Sequence, residues 1–470
     1  MAFSRGIHHL LLGTLACLLV IGLSATYWAI AGQDSLLLRD DNPRRIEALA
    51  SVQRGNIFDR HGRPLAETVG QAKALQRRYP MPSTFSAVGY YSLRFGASGA
   101  EVAYDHLLAG SREVRTLREF FDRRLLHLPQ TGSDIRLSID ATLQDALVTA
   151  FGDSRGAAVV LNALNGEILS LVSQPGVDAN ALDEDWEKLV AAEGQPFFNR
   201  ALQGNYQPGG AIYTFLLAHA ITSGFDLTQP FPQAAAPIKF KDGMTIACVF
   251  EPDSNELTLT DAYAYACPAP FGAYFLSEPG IDLGAILKRF AFDNPTALDG
   301  FPLPAPINLP AAPSDIPLTG EALELRAALG QGDETTAPLH MAAIMAAVST
   351  DGNLRTPFMH AATRLPGTQQ WRDAPADPTT IPLVSAEAAQ ELRAVMRRSW
   401  STLPIETSAA DVGAQVAMSQ SGEGIQLWLN GFVDYADEAT FSFVVLLEED
   451  EGLSRLFSIG QTLVLALDPS

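Results

Sequence analysis

Lysine is scarce in this 470-residue chain, occurring only at positions 73, 188, 239, 241 and 288. Three places before those lysines stand Gly70, Asp185, Ala236, Ile238 and Ala285, none of which carries a hydroxyl. A serine activated by a lysine one helical turn later, with both groups on one helix face, is therefore excluded everywhere. Positive charge is short overall, 32 Lys+Arg against 53 Asp+Glu, for a formal net charge of −21. That balance opposes contact with phosphate backbones and anionic headgroups and excludes a nucleic-acid partner. There are three cysteines and eight histidines, with no Cys/His cluster at metal-ligand spacing. The sequence thus offers neither a metal site nor a cofactor motif.

What is present is ample apolar content, 47%, in a chain long enough for two or three domains. Leu10 to Ala31 forms an uncharged run of 22 residues, which as a helix reaches about 33 Å and covers a hydrocarbon core of roughly 30 Å. Arg5 precedes it and Asp34 follows, so the positive-inside tendency places the amino terminus in the cytoplasm and the rest outside. Ala29-Ile30-Ala31 also fits a signal-peptidase site, but the run is longer than a secretory signal, and we read a single-pass anchor. Cys17 lies in this run. Cys248 and Cys267 lie beyond it, where an oxidising space permits pairing without requiring it.

After the anchor, Arg54-Gly55-Asn56-Ile57-Phe58-Asp59-Arg60-His61-Gly62-Arg63-Pro64-Leu65-Ala66 reads as two short strands with a turn at His61-Gly62. Small polar residues at Gln130-Thr131-Gly132-Ser133 mark a boundary. Beyond it, Gly156–Leu161 and Glu167–Ser173 flank an Asn165-Gly166 turn and read as an antiparallel hairpin, the first strand apolar throughout and hence interior. Further strands follow at Val416–Ser419, Leu427–Leu429 and Phe441–Leu447, with helical and Pro-rich sequence between. Strands at both ends of a domain and helices in its middle predict an α+β fold, an antiparallel sheet carrying helices.

The Arg54–Ala66 string closely resembles the Arg-Gly-x-Ile-x-Asp-Arg-x-Gly-x-x-Leu-Ala signature of class B penicillin-binding proteins, and Tyr91–Glu101 is similar to a second stretch of their membrane-proximal domain. Gly330-Gln331-Gly332 followed by Thr336-Ala337-Pro338-Leu339 looks like another segment of that family. The resemblance covers most of residues 50–465. It implies an anchor over 1–32, an elongated membrane-proximal domain over 33–132 and a transpeptidase-like penicillin-binding domain over 133–470.

Against that family the three motif positions are altered. Gln207-Pro208-Gly209-Gly210-Ala211-Ile212-Tyr213 has the Pro-Gly turn that opens a helix where such enzymes carry Ser-x-x-Lys, but Gly210 and Tyr213 occupy the reactive places. Glycine supplies no nucleophile, a loss that typically costs about 10⁶ in turnover, and tyrosine with a reference pKa near 10 is a poor base at neutral pH. At the second motif, Ser-x-Asn, stand Ala266-Cys267-Pro268, with no proton shuttle and no amide to hold a substrate. Cys267 has no His or Lys beside it and reads as a buried small hydrophobe. At the third, Lys-Thr-Gly, stand Gln420-Ser421-Gly422-Glu423, without the cation and with a repelling carboxylate at Glu423. His340 reads as structural.

The resemblance therefore implies a non-acylating homologue that binds or scaffolds in peptidoglycan synthesis and cell division at the outer membrane face. Its implied partners are peptidoglycan peptide stems, met in a remnant groove of Tyr213, Ser421, Gly422 and Glu423, or other cell-wall and division proteins. The alternative is an active transpeptidase with a non-standard nucleophile such as Ser419 or Ser421.

Overall fold

The computed structural model describes residues 2–30, 52–70, 75–110, 131–278, 280–296, 298, 301, 307–308, 320–374, 379–406, 411–421, 424–435, 439–448 and 452–468. Ala31, Asp34, Gly422 and Glu423 lie outside the described residues. The chain divides into two compact units, one of Met1–Gln53, Val69–Gln76 and Glu113–Thr131, the other of Arg54–Thr68, Arg77–Arg112 and Gly132–Ser470.

In the first unit, helix α1 (Ala2–Ile30) contains a stretch, Ile7–Tyr27, of mean hydropathy 2.1 that is long and apolar enough to cross a membrane. Leu10, Leu11, Leu12, Leu15 and Leu18 are each more than half exposed. Water penalises such an arrangement and a hydrocarbon layer does not.

The second unit begins with the expected hairpin: β1 (Ile57–Phe58) pairs antiparallel with β2 (Pro64–Val69), Ile57 opposite Ala66, around Gly62 at φ +85°. Strand β3 (Asp134–Leu137) then joins β1 in parallel, Ile57 opposite Ile135. Here lies the physical reason for Gly55 in the signature string, because a Cβ on it would overlap the carbonyl of Ser133. Arg54 and Arg77 both reach the buried carboxylate of Glu101, at 2.8 and 2.6 Å, and lock the short helix Gly99–Ala103 against this hairpin.

Helix α2 (Ala141–Phe151) starts at Asp140, whose side chain accepts from the amides of Thr142 and Leu143, the usual satisfaction of free helix donors. Strands β4 (Gly156–Asn162) and β5 (Ile168–Gln174) form the hairpin read from the Asn-Gly turn. Helices α3 (Leu182–Val190), α4 (Tyr213–Ser223), α5 (Leu259–Ala264), α6 (Pro268–Ser277) and α7 (Pro338–Ser349) follow. Strand β6 (His360–Arg364) extends the small sheet beside β3, and α8 (Ala386–Trp400) leads to β7 (Asp411–Ser421), β8 (Gly424–Tyr435), β9 (Ala439–Leu447) and the last helix α9 (Leu453–Ala466).

The main sheet is antiparallel with order β7-β8-β9-β4-β5, so β7 is an edge and β4 is interior, as its apolar run requires. Alternation sorts its side chains. Val416, Leu429 and Val445 pack with Leu147, Phe151, Ile459 and Leu463 of α2 and α9. Ala417, Trp428 and Val444 meet Phe215, Leu216, Ala342 and Ile344 of α4 and α7 on the opposite face. Every residue of α7 is buried, as a helix apolar on nearly every side demands.

Candidate functional site

The first and third motif positions meet at the edge strand β7, and the second joins the first through α6, whose Phe271 stacks on Tyr213. The turn Pro208-Gly209-Gly210 lies against it, with Gly209 at φ +53° and a Cβ there overlapping the carbonyl of Met418. Gly330, also left-handed at φ +72°, packs on Gly209 from the other side, and the Gly209 amide donates to the Gly330 carbonyl at 2.9 Å. The indole of Trp428 donates to the Gln207 carbonyl at 3.1 Å, and Gln415 donates to the Gly210 carbonyl at 2.8 Å. The frame that would present residue 210 is thus held by three backbones and two buried side chains.

Residue 210 itself presents nothing. A Cβ built there would lie 3.1 Å from Cε2 of Tyr213 and 3.5 Å from the Ala417 Cβ. Tyr213 is 2% exposed, and its ring stacks on Phe271 of α6 with centroids 4.4 Å apart and planes 7° apart. Burial pushes its hydroxyl pKa upward, further from that of a base at neutral pH. Tyr213 therefore closes the space over Gly210 with an aromatic wall, and it does not line an open groove.

At the second position Ala266 adopts φ +49°, left-handed without being glycine, and is almost fully buried. Cys267 is disulfide-bonded to Cys248, which settles the pairing that the sequence left open and removes its thiol as a nucleophile. Pro268 is buried in the first turn of α6, the helix that delivers Phe271.

At the third position, strand alternation decides which side chains face Gly210. Ala417 does, so Ser419 shares its face, while Gln420 belongs with Met418 on the other. The Gln420 amide group instead donates to the Thr245 carbonyl at 3.1 Å. Ser419 is fully buried and its hydroxyl meets Gln426 Oε1 at 3.1 Å. Ser421 ends β7, paired with Gly424.

Two features had no counterpart in the reading of the sequence. Phe271 was invisible as a stacking partner because it approaches from another helix. Gln331, noted only as part of a glycine turn, bridges the open edge of β7: it donates to the Met418 carbonyl at 3.2 Å and accepts from the Gln420 amide at 2.9 Å. That pair of bonds is what an added strand would make. His340 is buried with Nδ1 accepting from the Thr296 amide at 3.0 Å and Nε2 facing the Phe290 carbonyl at 3.1 Å, a structural neutral imidazole whose pKa burial lowers to about 4.

The family model described as the penicillin binding protein transpeptidase domain matches residues 156–458, and that of the penicillin binding protein A dimerisation domain matches 54–134. The chain belongs to the penicillin-binding protein transpeptidase family. Among its relatives, the peptidoglycan D,D-transpeptidase PbpA of Mycolicibacterium smegmatis is 29% identical over 405 residues, spanning 81% of this chain and 77% of the relative. PbpA of Mycobacterium tuberculosis is 28% identical over 381 residues, 75% of this chain and 74% of the relative. The crystal structure of PBPA from Mycobacterium tuberculosis superposes with a TM-score of 0.76 at 22% identity, covering 88% of this chain and 99% of that one. A structure of the same protein as its imipenem acyl-enzyme complex matches equally well, with a TM-score of 0.76. The α+β penicillin-binding fold follows directly from these matches.

Proposed function

We propose that this chain is a penicillin-binding protein homologue that has lost acyl transfer and serves as a binding or scaffold protein in peptidoglycan synthesis and cell division, tethered by α1 with its main domains outside the cytoplasm. One observation carries the reading: at Gly210, which the sequence resemblance matches to the nucleophile, there is no hydroxyl, and the Tyr213 ring lies 3.1 Å from where a Cβ would stand. The supporting changes all point one way. A left-handed alanine, a cystine and a proline occupy the second motif, and no lysine stands at the third. On this reading residues 33–132 form a membrane-proximal domain and 133–470 the penicillin-binding one. Peptide stems would meet the remnant of the groove near Ser421, Gly422 and Glu423, while cell-wall and division proteins are the other class of partner.

A second reading has support in the names of the relatives, which are D,D-transpeptidases. It needs another nucleophile, for which the sequence offers Ser419, on the Ala417 face of the strand, and Ser421. Fluorescent penicillin added to the detergent-solubilised full chain separates the two. Absence of a labelled band supports the scaffold; a band that vanishes in Ser421→Ala or Ser419→Ala establishes the enzyme.

A further inference from the structure

Within the same compact unit, two chain segments, Phe85–Val102 and Ser173–Gln203, together with Phe301 line a cavity of about 440 Å³. Its walls are largely apolar, with Phe85, Tyr90, Trp186 and Phe197 joined by Val190 and Leu202. The volume falls in the range of roughly 300–1,000 Å³ that holds a small molecule or an inserted side chain. The walls are braced from behind. Trp186 stacks on Phe95 with centroids 4.1 Å apart, and Phe197 sits 5.1 Å from Trp186 and 6.0 Å from Tyr90.

The helix that supplies Trp186 and Val190 to the cavity is acidic. Trp186 and Val190 are four apart on α3 and share a face, and Val190 is 58% exposed at the mouth. Asp183 and Glu187, likewise four apart, border that stripe, and Glu193 follows on the turn before the lining residue Pro196. Asp183 accepts the hydroxyl of Ser92 at 2.6 Å, which ties one carboxylate to the facing chain segment. Of the nearby cations, Lys188 lies two residues from Trp186 and hence on another face, Arg94 lies over the Phe95 ring at 4.8 Å, and Arg200, buried against the lining residue Phe198, is paired with Glu448 at 3.0 Å.

We propose that this cavity docks a partner protein by taking up one aromatic or branched apolar side chain flanked by arginine or lysine. The apolar walls supply the anchor site, and the carboxylates select the flanking charge. Long-range attraction from a chain of net charge −21 favours the same sign. The inference does not depend on whether acyl transfer survives, since the cavity is separate from the groove beside β7, and a penicillin label would leave it standing.

The test uses the detergent-solubilised full chain and two synthetic peptides, acetyl-Arg-Leu-Phe-Arg-amide and acetyl-Glu-Leu-Phe-Glu-amide, titrated at millimolar concentration and followed by the fluorescence of the protein's tryptophans. The arginine peptide is expected to bind at least tenfold more tightly, and Glu187→Lys and Val190→Lys, both at exposed positions that leave the packed rings intact, are each expected to weaken it at least fivefold. Trp186→Ala tests the wall itself, with a thermal melt confirming that the variant folds. Equal binding of the two peptides, binding unchanged in both lysine variants, or no binding of either peptide would overturn the proposal. So would uptake of neutral phosphatidylcholine vesicles that is lost in Val190→Lys, which would make the cavity a lipid site.

Discussion

Gly209 and Gly210 are neighbours in sequence and opposites in what surrounds them. At 209 three backbones meet, and the left-handed φ of +53° together with the Met418 carbonyl leaves no place for any side chain. At 210 the nearest atoms are the ring edge of Tyr213, 3.1 Å from a hypothetical Cβ, and the Ala417 methyl at 3.5 Å. Backbone cannot yield, whereas a side-chain edge can. The difference separates the frame, which backbone contacts dictate, from a position bordered only by side chains, where substitution has room to act.

Breaking the frame should cost most. Gly209→Ala imposes both strain and a backbone clash, and we expect more than about 4 kcal/mol of lost stability, or failure to fold, read from denaturant melts of the full chain. Removing Glu101 attacks the β1–β2 hairpin instead, leaving Arg54 and Arg77 buried without their shared partner. Glu101→Ala should cost about 3–5 kcal/mol by the same measurement.

His340 tests the frame through pH. Its folded pKa of about 4 lies below the reference near 6.5, so the unfolded chain binds the extra proton in that window. Its contribution is therefore complete above pH 6.5 and is lost as pH falls toward 4, by at most about 3 kcal/mol. Stability measured across that range should slope more steeply in the parent than in His340→Gln.

The smallest effect is expected at Gly210. Gly210→Ser asks the Tyr213 ring to give by a few tenths of an ångström, and about 1–2 kcal/mol is the expected cost. A loss as large as that of Gly209→Ala would erase the contrast between the two glycines.

Much of the fold was legible because its signals are local. Gly62 and the Asn165-Gly166 turn announce two hairpins, and the apolar run of β4 announces an interior strand. The site was legible only as far as its frame. That Tyr213 acts as a ring and not as a hydroxyl depends on Phe271, which another helix brings to it. The Cys248–Cys267 bond likewise depends on a tertiary approach that spacing does not encode. Gln420 teaches a different lesson, since the two-residue period counted from Ala417 already puts it on the face away from Gly210. A motif matched by composition alone overlooks that a one-residue slip reverses a strand's faces.

The loss of acylation is tested most directly by intact-mass spectrometry of the solubilised full chain after prolonged exposure to excess benzylpenicillin. An unshifted mass is the predicted result. The addition of one penicillin per chain, mapped to a hydroxyl facing the turn at Gly210, would show that the filled pocket still acylates.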